Sequence, residues 1–230
     1  MKRPVCVLLA ALALGCLAAC GGASGAAEAS GTSAAEKSAA VSSSAPASAG
    51  SEAPQPSQPG SAGGAEHRVL VAYFSCTGHT GEIAKTAADA LGADLYEIVP
   101  QTPYTEADRN YNDKTSRTTR EQNDPAARPA ISGGVQHLED YDVVLLGYPI
   151  WWGQAPRIIS TFLESYDFSG KTIVPFCTSA SSGVGSSADA LHGLCSAKAV
   201  WLDGTRFAAG ASRSQVTDWL GGLGLGLSVW

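Results

Sequence analysis

Apolar residues gather along this chain into short unbroken runs, separated by stretches that are polar or built of small residues. Val69 to Phe74 reads VLVAYF without a polar member, the pattern of a parallel strand covered on both faces, since a strand wetted on one side would alternate. Ser75 to Thr80 interrupts it. Ile83, Ala84, Ala87, Ala88 and Leu91 then recur at helical spacing, with Glu82, Lys85 and Asp89 opposite and Gly92 as a stop. The stretch therefore predicts a strand, a tight loop and a helix.

The pattern recurs with variations. Asp94 to Pro100, DLYEIVP, alternates apolar and acidic residues and predicts a second, more exposed strand. Residues 101–138 are polar and mixed in charge. Their weak periodicity predicts a surface helix between long loops, with Arg117, Arg120 and Glu121 on a solvated face, although a loop so long could instead cover a ligand. Tyr141 to Ile150 is a second run, apolar but for Asp142, and Pro156 opens a helix faced by Ile158, Ile159, Phe162, Leu163 and Tyr166. Lys171 to Cys177 predicts a fourth strand, a helix with Leu191 and Leu194 follows from near Ser187, and residues 197–202 predict a fifth strand. Val216, Trp219, Leu220 and Leu223 mark a last helix; the glycine-rich tail carries no assignable pattern. Strand and helix alternate five times. This is the signature of an α/β fold with a doubly wound, five-stranded parallel sheet and helices on both faces.

The first 66 residues stand apart. Lys2 and Arg3 precede an apolar stretch too short to span a membrane, as in an export signal. Leu17, Ala18, Ala19 and Cys20 resemble a bacterial lipobox, which implies lipidation at Cys20; a plain secretory signal or an anchor is the other reading, and Cys16 is a poorer candidate. Residues 21–66 are nearly all Ala, Ser, Gly, Pro, Glu and Gln, with Val41 the only large aliphatic residue. They cannot bury enough apolar surface to offset chain entropy and are expected to form a flexible tether. Residues 67–230 are the right length for one globular domain. The formal charge is −6, and would be −8 without Lys2 and Arg3, with no basic run. Nucleic acid is not an expected partner.

Candidate chemistry sits where strands end. Ser75, Thr77 and Thr80 supply hydroxyls, Gly78 permits a tight backbone, and the free N–H groups of the helix start point outward at its positive end. Neither GxxxxGK[ST] nor GxGxxG is present, so a single terminal monophosphate suits the loop better than a triphosphate or dinucleotide. An ordinary hydroxyl-rich turn capped by Thr80 is the alternative. The second special loop, Tyr148 to Gly153, carries adjacent Trp151 and Trp152, each either a flat contact for an aromatic ligand or core packing. TSASSGVGSS from Thr178 is the third. Cys76, Cys177 and Cys195 are expected as free thiols. Their odd count leaves at least one thiol unpaired within the domain, and the helix terminus could acidify Cys76. The histidines show no metal-ligand spacing.

The hexamer, and then the whole region from about Arg68 to the last helix, resembles the flavodoxin-like family, short-chain type. The resemblance implies strand order 2-1-3-4-5 with FMN at the carboxyl edge of the first and third strands. It implies that Ser75, Thr77, Gly78, His79 and Thr80 hold the phosphate. Pro149, Ile150, Trp151, Trp152 and Gly153 would lie against the isoalloxazine, and Thr178, Ser179, Ala180, Ser181 and Gly183 would form the third flavin loop. His79 occupies a variable position and could add charge there or face solvent. The function expected is electron transfer by an FMN protein, lipid-anchored on the outer face of the cell membrane and served by a redox protein or quinone-type donor. An FMN-dependent NAD(P)H or quinone reductase and a flavin-free binding lipoprotein are the alternatives. No catalytic dyad or triad is visible.

Overall fold

The computed structural model describes residues 67–230. The export signal, Cys20 and the tether lie outside the described residues. Strand β1 (Val69–Tyr73) leads through the Ser75–Thr80 hexamer into helix α1 (His79–Leu91), which stops at Gly92 in the left-handed conformation. β2 (Asp94–Glu97) is the edge strand and β3 (Val99–Pro100) leaves the sheet to pair with β4 (Ile131–Ser132). Between them lie a 3₁₀ turn at Ala107–Arg109 and helix α2 (Arg117–Asn123). Then come β5 (Val143–Pro149), α3 (Arg157–Glu164), β6 (Thr172–Thr178), α4 (Gly185–His192), β7 (Val200–Trp201), β8 (Thr205–Phe207) and α5 (Arg213–Gly221).

The sheet runs β2-β1-β5-β6-β7, all parallel, with β8 also on β6. This is the expected order 2-1-3-4-5. Alternate residues of the central strands feed two separate cores, which is why their sequences hold no polar member. Leu70, Ala72, Phe74, Val144 and Leu146 pack under α3 and α4. Val71, Tyr73, Val143, Leu145 and Phe176 pack under α1 and α5. The glycine-rich tail joins the second core through Leu223, Leu225, Leu227 and Val229, and Trp230 N donates to Ala90 O at 2.8 Å.

The fifth strand is broken. Its first piece donates from Val200 N to Lys171 O and from Leu202 N to Ile173 O, so alternate residues of β6 face it and the next in line is Pro175, which has no N–H. Three residues, Leu202, Asp203 and Gly204, then oppose Val174 and Pro175 before pairing resumes at Thr205. Gly204 is required at this bulge because a Cβ there would lie 2.6 Å from Pro175 O. Among the described residues no helix is long and apolar enough to cross a membrane.

Candidate functional site

The three special loops meet at the carboxyl edge of β1, β5 and β6, and they meet at Thr178. Its hydroxyl lies 2.7 Å from that of Thr80, buried, and its carbonyl accepts from Ile150 N at 3.1 Å. One residue of the third loop thus holds the first and the second. Thr80 is therefore no helix cap: α1 is capped by Gly78 at φ 88, without a side-chain bond. Within the hexamer Gly78 N donates to Ser75 Oγ at 3.1 Å, while Thr77, Gly78 and His79 are exposed. The loop so built leaves a hydroxyl, a histidine and the start of α1 exposed, with no carboxylate among its residues.

In the second loop Pro149 and Ile150 are half-buried and the chain then makes a two-residue hairpin. Trp151 N donates to Gln154 O and Gln154 N to Trp151 O, both at 2.9 Å. Trp152 at φ 49 and Gly153 at φ 75 are its central residues. Positive φ at both is the I′ pattern that suits strand twist. The two tryptophans consequently part. Trp151 turns inward, 6% exposed, against the ring edges of Phe74 and Tyr104; the expectation that its face lies against a ligand gives way to core packing, and only its backbone remains at the edge. Trp152 is half-buried at the rim, its ring 4.3 Å from that of Tyr111. In the third loop Thr178 is buried, Ser179 half-buried, and Ala180, Ser181 and Gly183 exposed. Ser179 Oγ donates to Ser182 O, and Arg206 Nη1 holds the carbonyls of Ser179 and Ala180 at 3.0 and 3.2 Å.

Within residues 101–138, Arg117 and Glu121 do not lie on the solvated face the sequence suggests. Arg117 and Glu121 are paired at 2.7 Å and largely buried, because Glu121 also accepts from Tyr104 OH at 2.7 Å while the Arg117 guanidinium lies 3.9 Å over the Tyr104 ring. Burial and Glu121 together push the Tyr104 phenol far above its ordinary value. Gln122 Nε2 donates to Trp151 O at 2.9 Å and Ala155 O at 3.2 Å, and Arg157 returns donors to the carbonyls of Glu121 and Gln122. The segment is therefore clamped to both ends of the tryptophan turn. Arg120 alone of the three is exposed. The i,i+4 spacing of Arg117 and Glu121 and the lone aromatics Tyr104 and Tyr111 were the only signals in the sequence for this contribution.

The thiols behave differently from expectation at one position. Cys76, Cys177 and Cys195 are free, but Cys76 is not acidified: burial pushes it up to about 11, outweighing the lowering pull of Arg109 and Arg117. Burial likewise lifts Cys177 to about 11. A separate cavity of about 310 Å³ opens at the opposite edge of the sheet, lined by Val135, Tyr166 and Lys171 among others. It shares no residue with the three loops.

A family model described as flavodoxin matches residues 68–223. This chain belongs to the flavodoxin family. Among solved structures it is similar to a chain from Bacteroides eggerthii, with 43% identity over 70% of this chain and 99% of that one, at a TM-score of 0.65. A chain from Bacteroides uniformis gives 43% identity over 68% and 99%, at a TM-score of 0.64. A flavoprotein in complex with FMN from Lactobacillus acidophilus shares the fold at 20% identity over 67% and 99%, with a TM-score of 0.50. FMN is the cofactor of the family, and the residues present fit it. The hexamer offers N–H and O–H donors without an acid, and the space where a Cβ would stand on Gly78 or Gly153 is open.

Proposed function

We propose that the domain is an FMN-dependent electron carrier, tethered by lipid at Cys20 to the outer face of the cytoplasmic membrane and reduced there by a redox protein or quinone-type donor. The observation that carries the flavin part is the convergence of the three loops on Thr178, which brings a phosphate cradle and an aromatic turn to one edge of the sheet. FMN bound there supplies reversible redox chemistry. The chain's own residues bind the phosphate through α1, set the ring against the Trp152–Gly153 turn and keep the inner face dry with Trp151, Phe74 and Tyr104. The lipobox-like LAAC and the small-residue tether support the anchored reading.

A second reading, an FMN-dependent NAD(P)H or quinone reductase, is favoured by one feature. Residues 101–138 are organised against the tryptophan turn, as a wall for a second substrate would be. Both readings predict a yellow protein that releases FMN and binds it more tightly than riboflavin. They part on electron source: reduction by membranes or quinols, and slow reduction by NAD(P)H, fits the carrier, whereas fast NAD(P)H turnover with no response to membranes fits the reductase. A colourless protein with no affinity for FMN would sink both.

A further inference from the structure

The phosphate loop contains no lysine or arginine, yet the segment that packs against its base carries a cation with no carboxylate partner among the described residues. Arg109 ends the 3₁₀ turn Ala107–Arg109, and the stretch around it is fastened at both sides of the site. Tyr104 packs on Phe74 and Trp151 at 5.8 and 5.2 Å, and Tyr111 packs on Trp152 at 4.3 Å. Phe74 is the residue immediately before the hexamer, so the stretch spans from the phosphate loop to the ring loop and Arg109 lies on that span.

Its backbone is fixed by its neighbours. Thr105 N donates to Asp108 Oδ2 at 2.9 Å, Asp108 N donates to Thr105 Oγ1 at 3.2 Å, and Thr118 Oγ1 donates to Asp108 O at 2.6 Å. Asp108, the nearest acid in sequence, is thereby turned to Thr105. Glu121, the acid of the adjoining helix, is taken by Arg117 and Tyr104. Among the described residues Arg109 has no carboxylate partner, and its half-buried side chain carries an Nε that is shut off from solvent and makes no hydrogen bond. Its charge is felt at Cys76 in the phosphate loop and at Tyr111 over the ring loop, lowering both against the effect of burial. A half-buried guanidinium without an anion is costly to keep, and a fork of N–H donors is suited to oxyanions.

We propose that Arg109 is the cationic ligand of the flavin site, reaching from the 101–138 segment to the anionic atoms of the bound cofactor. The proposal rests on the FMN reading above. Two sources of anion are on the same molecule: the phosphate, and the negative charge the ring system gains on reduction. The long polar segment is then part of the cofactor site, and supplies the charge that the hexamer lacks.

The test titrates the apoprotein with FMN and with riboflavin for the wild type, Arg109→Ala, Arg109→Lys and Arg109→Met, and measures the reduction potential of each loaded protein. Loss of FMN affinity by roughly tenfold in Arg109→Ala, with riboflavin affinity nearly unchanged and Arg109→Lys partly restoring it, assigns the phosphate. Equal loss for both flavins with a more negative potential, again relieved only by Lys, assigns the reduced ring. Wild-type affinities and potential in Arg109→Ala overturn the proposal. So does an equal loss that Arg109→Met repairs as well as Lys, because packing alone then explains it. If the wild type binds neither flavin, the FMN reading falls and this proposal with it.

Discussion

Thr80 and Thr178 are two buried hydroxyls, 1% and 7% exposed, that satisfy one another across the gap between the first and third loops. Replacing either by Val keeps the shape and strands its partner's hydroxyl in a dry site, at about 1 to 3 kcal/mol. Replacing both removes both polar groups, so the double variant is expected to cost less than the sum of the singles, by about 1 kcal/mol. Urea unfolding with unchanged m-values measures all three, and strict additivity would show that the pair does not join the loops. A sequence of isolated hydroxyls can point to a phosphate loop, as Ser75, Thr77 and Thr80 do, but the pairing of Thr80 with a residue 98 positions away is a tertiary fact. The tryptophans teach the same lesson. Side by side in sequence they are equivalent, and only the positive φ of Trp152 and Gly153 sends one inward and leaves the other at the rim.

At the scale of elements, β1, β5 and β6 were legible as unbroken apolar runs that two cores absorb, and α1 and α3 as periodic apolar faces that one core absorbs. Two things were not: the break in the fifth strand, and what holds the surface helix expected within residues 101–138. The break between β7 and β8 follows from Pro175 in the neighbouring strand, which no local reading of residues 197–207 contains. Helix α2 has seven residues, all polar, and too few turns to hold itself together; it exists because Gln122, Arg157, Glu121 and Tyr104 tie it to the tryptophan turn. Trp152 in a left-handed conformation costs about 1 kcal/mol, which the hairpin bonds and this clamp offset. Gln122→Ala should therefore loosen the ring loop and leave the phosphate loop alone. The expected result is weaker binding of FMN and riboflavin by the same factor, so their affinity ratio stays fixed, together with a loss of about 1 to 2 kcal/mol in stability. A selective loss for FMN would contradict the division of labour between the two loops.

For the whole molecule, the two cores on either side of the sheet hold groups whose titration is displaced, and this sets how the domain responds to alkali. Cys177 has no exposed surface, and burial raises its pKa from 9.0 to about 11; Cys76 rises equally from the same cause. Folding thus favours the protonated thiol. Above pH 9 the unfolded chain gives up these protons while the folded chain keeps them, so the folded state binds more protons and stability falls with rising pH. The contribution is complete below pH 9 and is lost as pH climbs through about 11; Tyr73 and Tyr96, raised from 10.0 to about 12 chiefly by burial, add to the same trend from about pH 10 upward. Urea midpoints measured at intervals from pH 8 to 11 should decline over this window. Cys177→Ala removes one of the titrating groups, so its midpoint starts lower for want of the packed sulfur but declines less steeply than the wild type. Parallel decline of the two proteins would mean that the buried thiol does not govern the alkaline limit and that the loss begins elsewhere, with the tyrosines of the sheet as the next groups to vary.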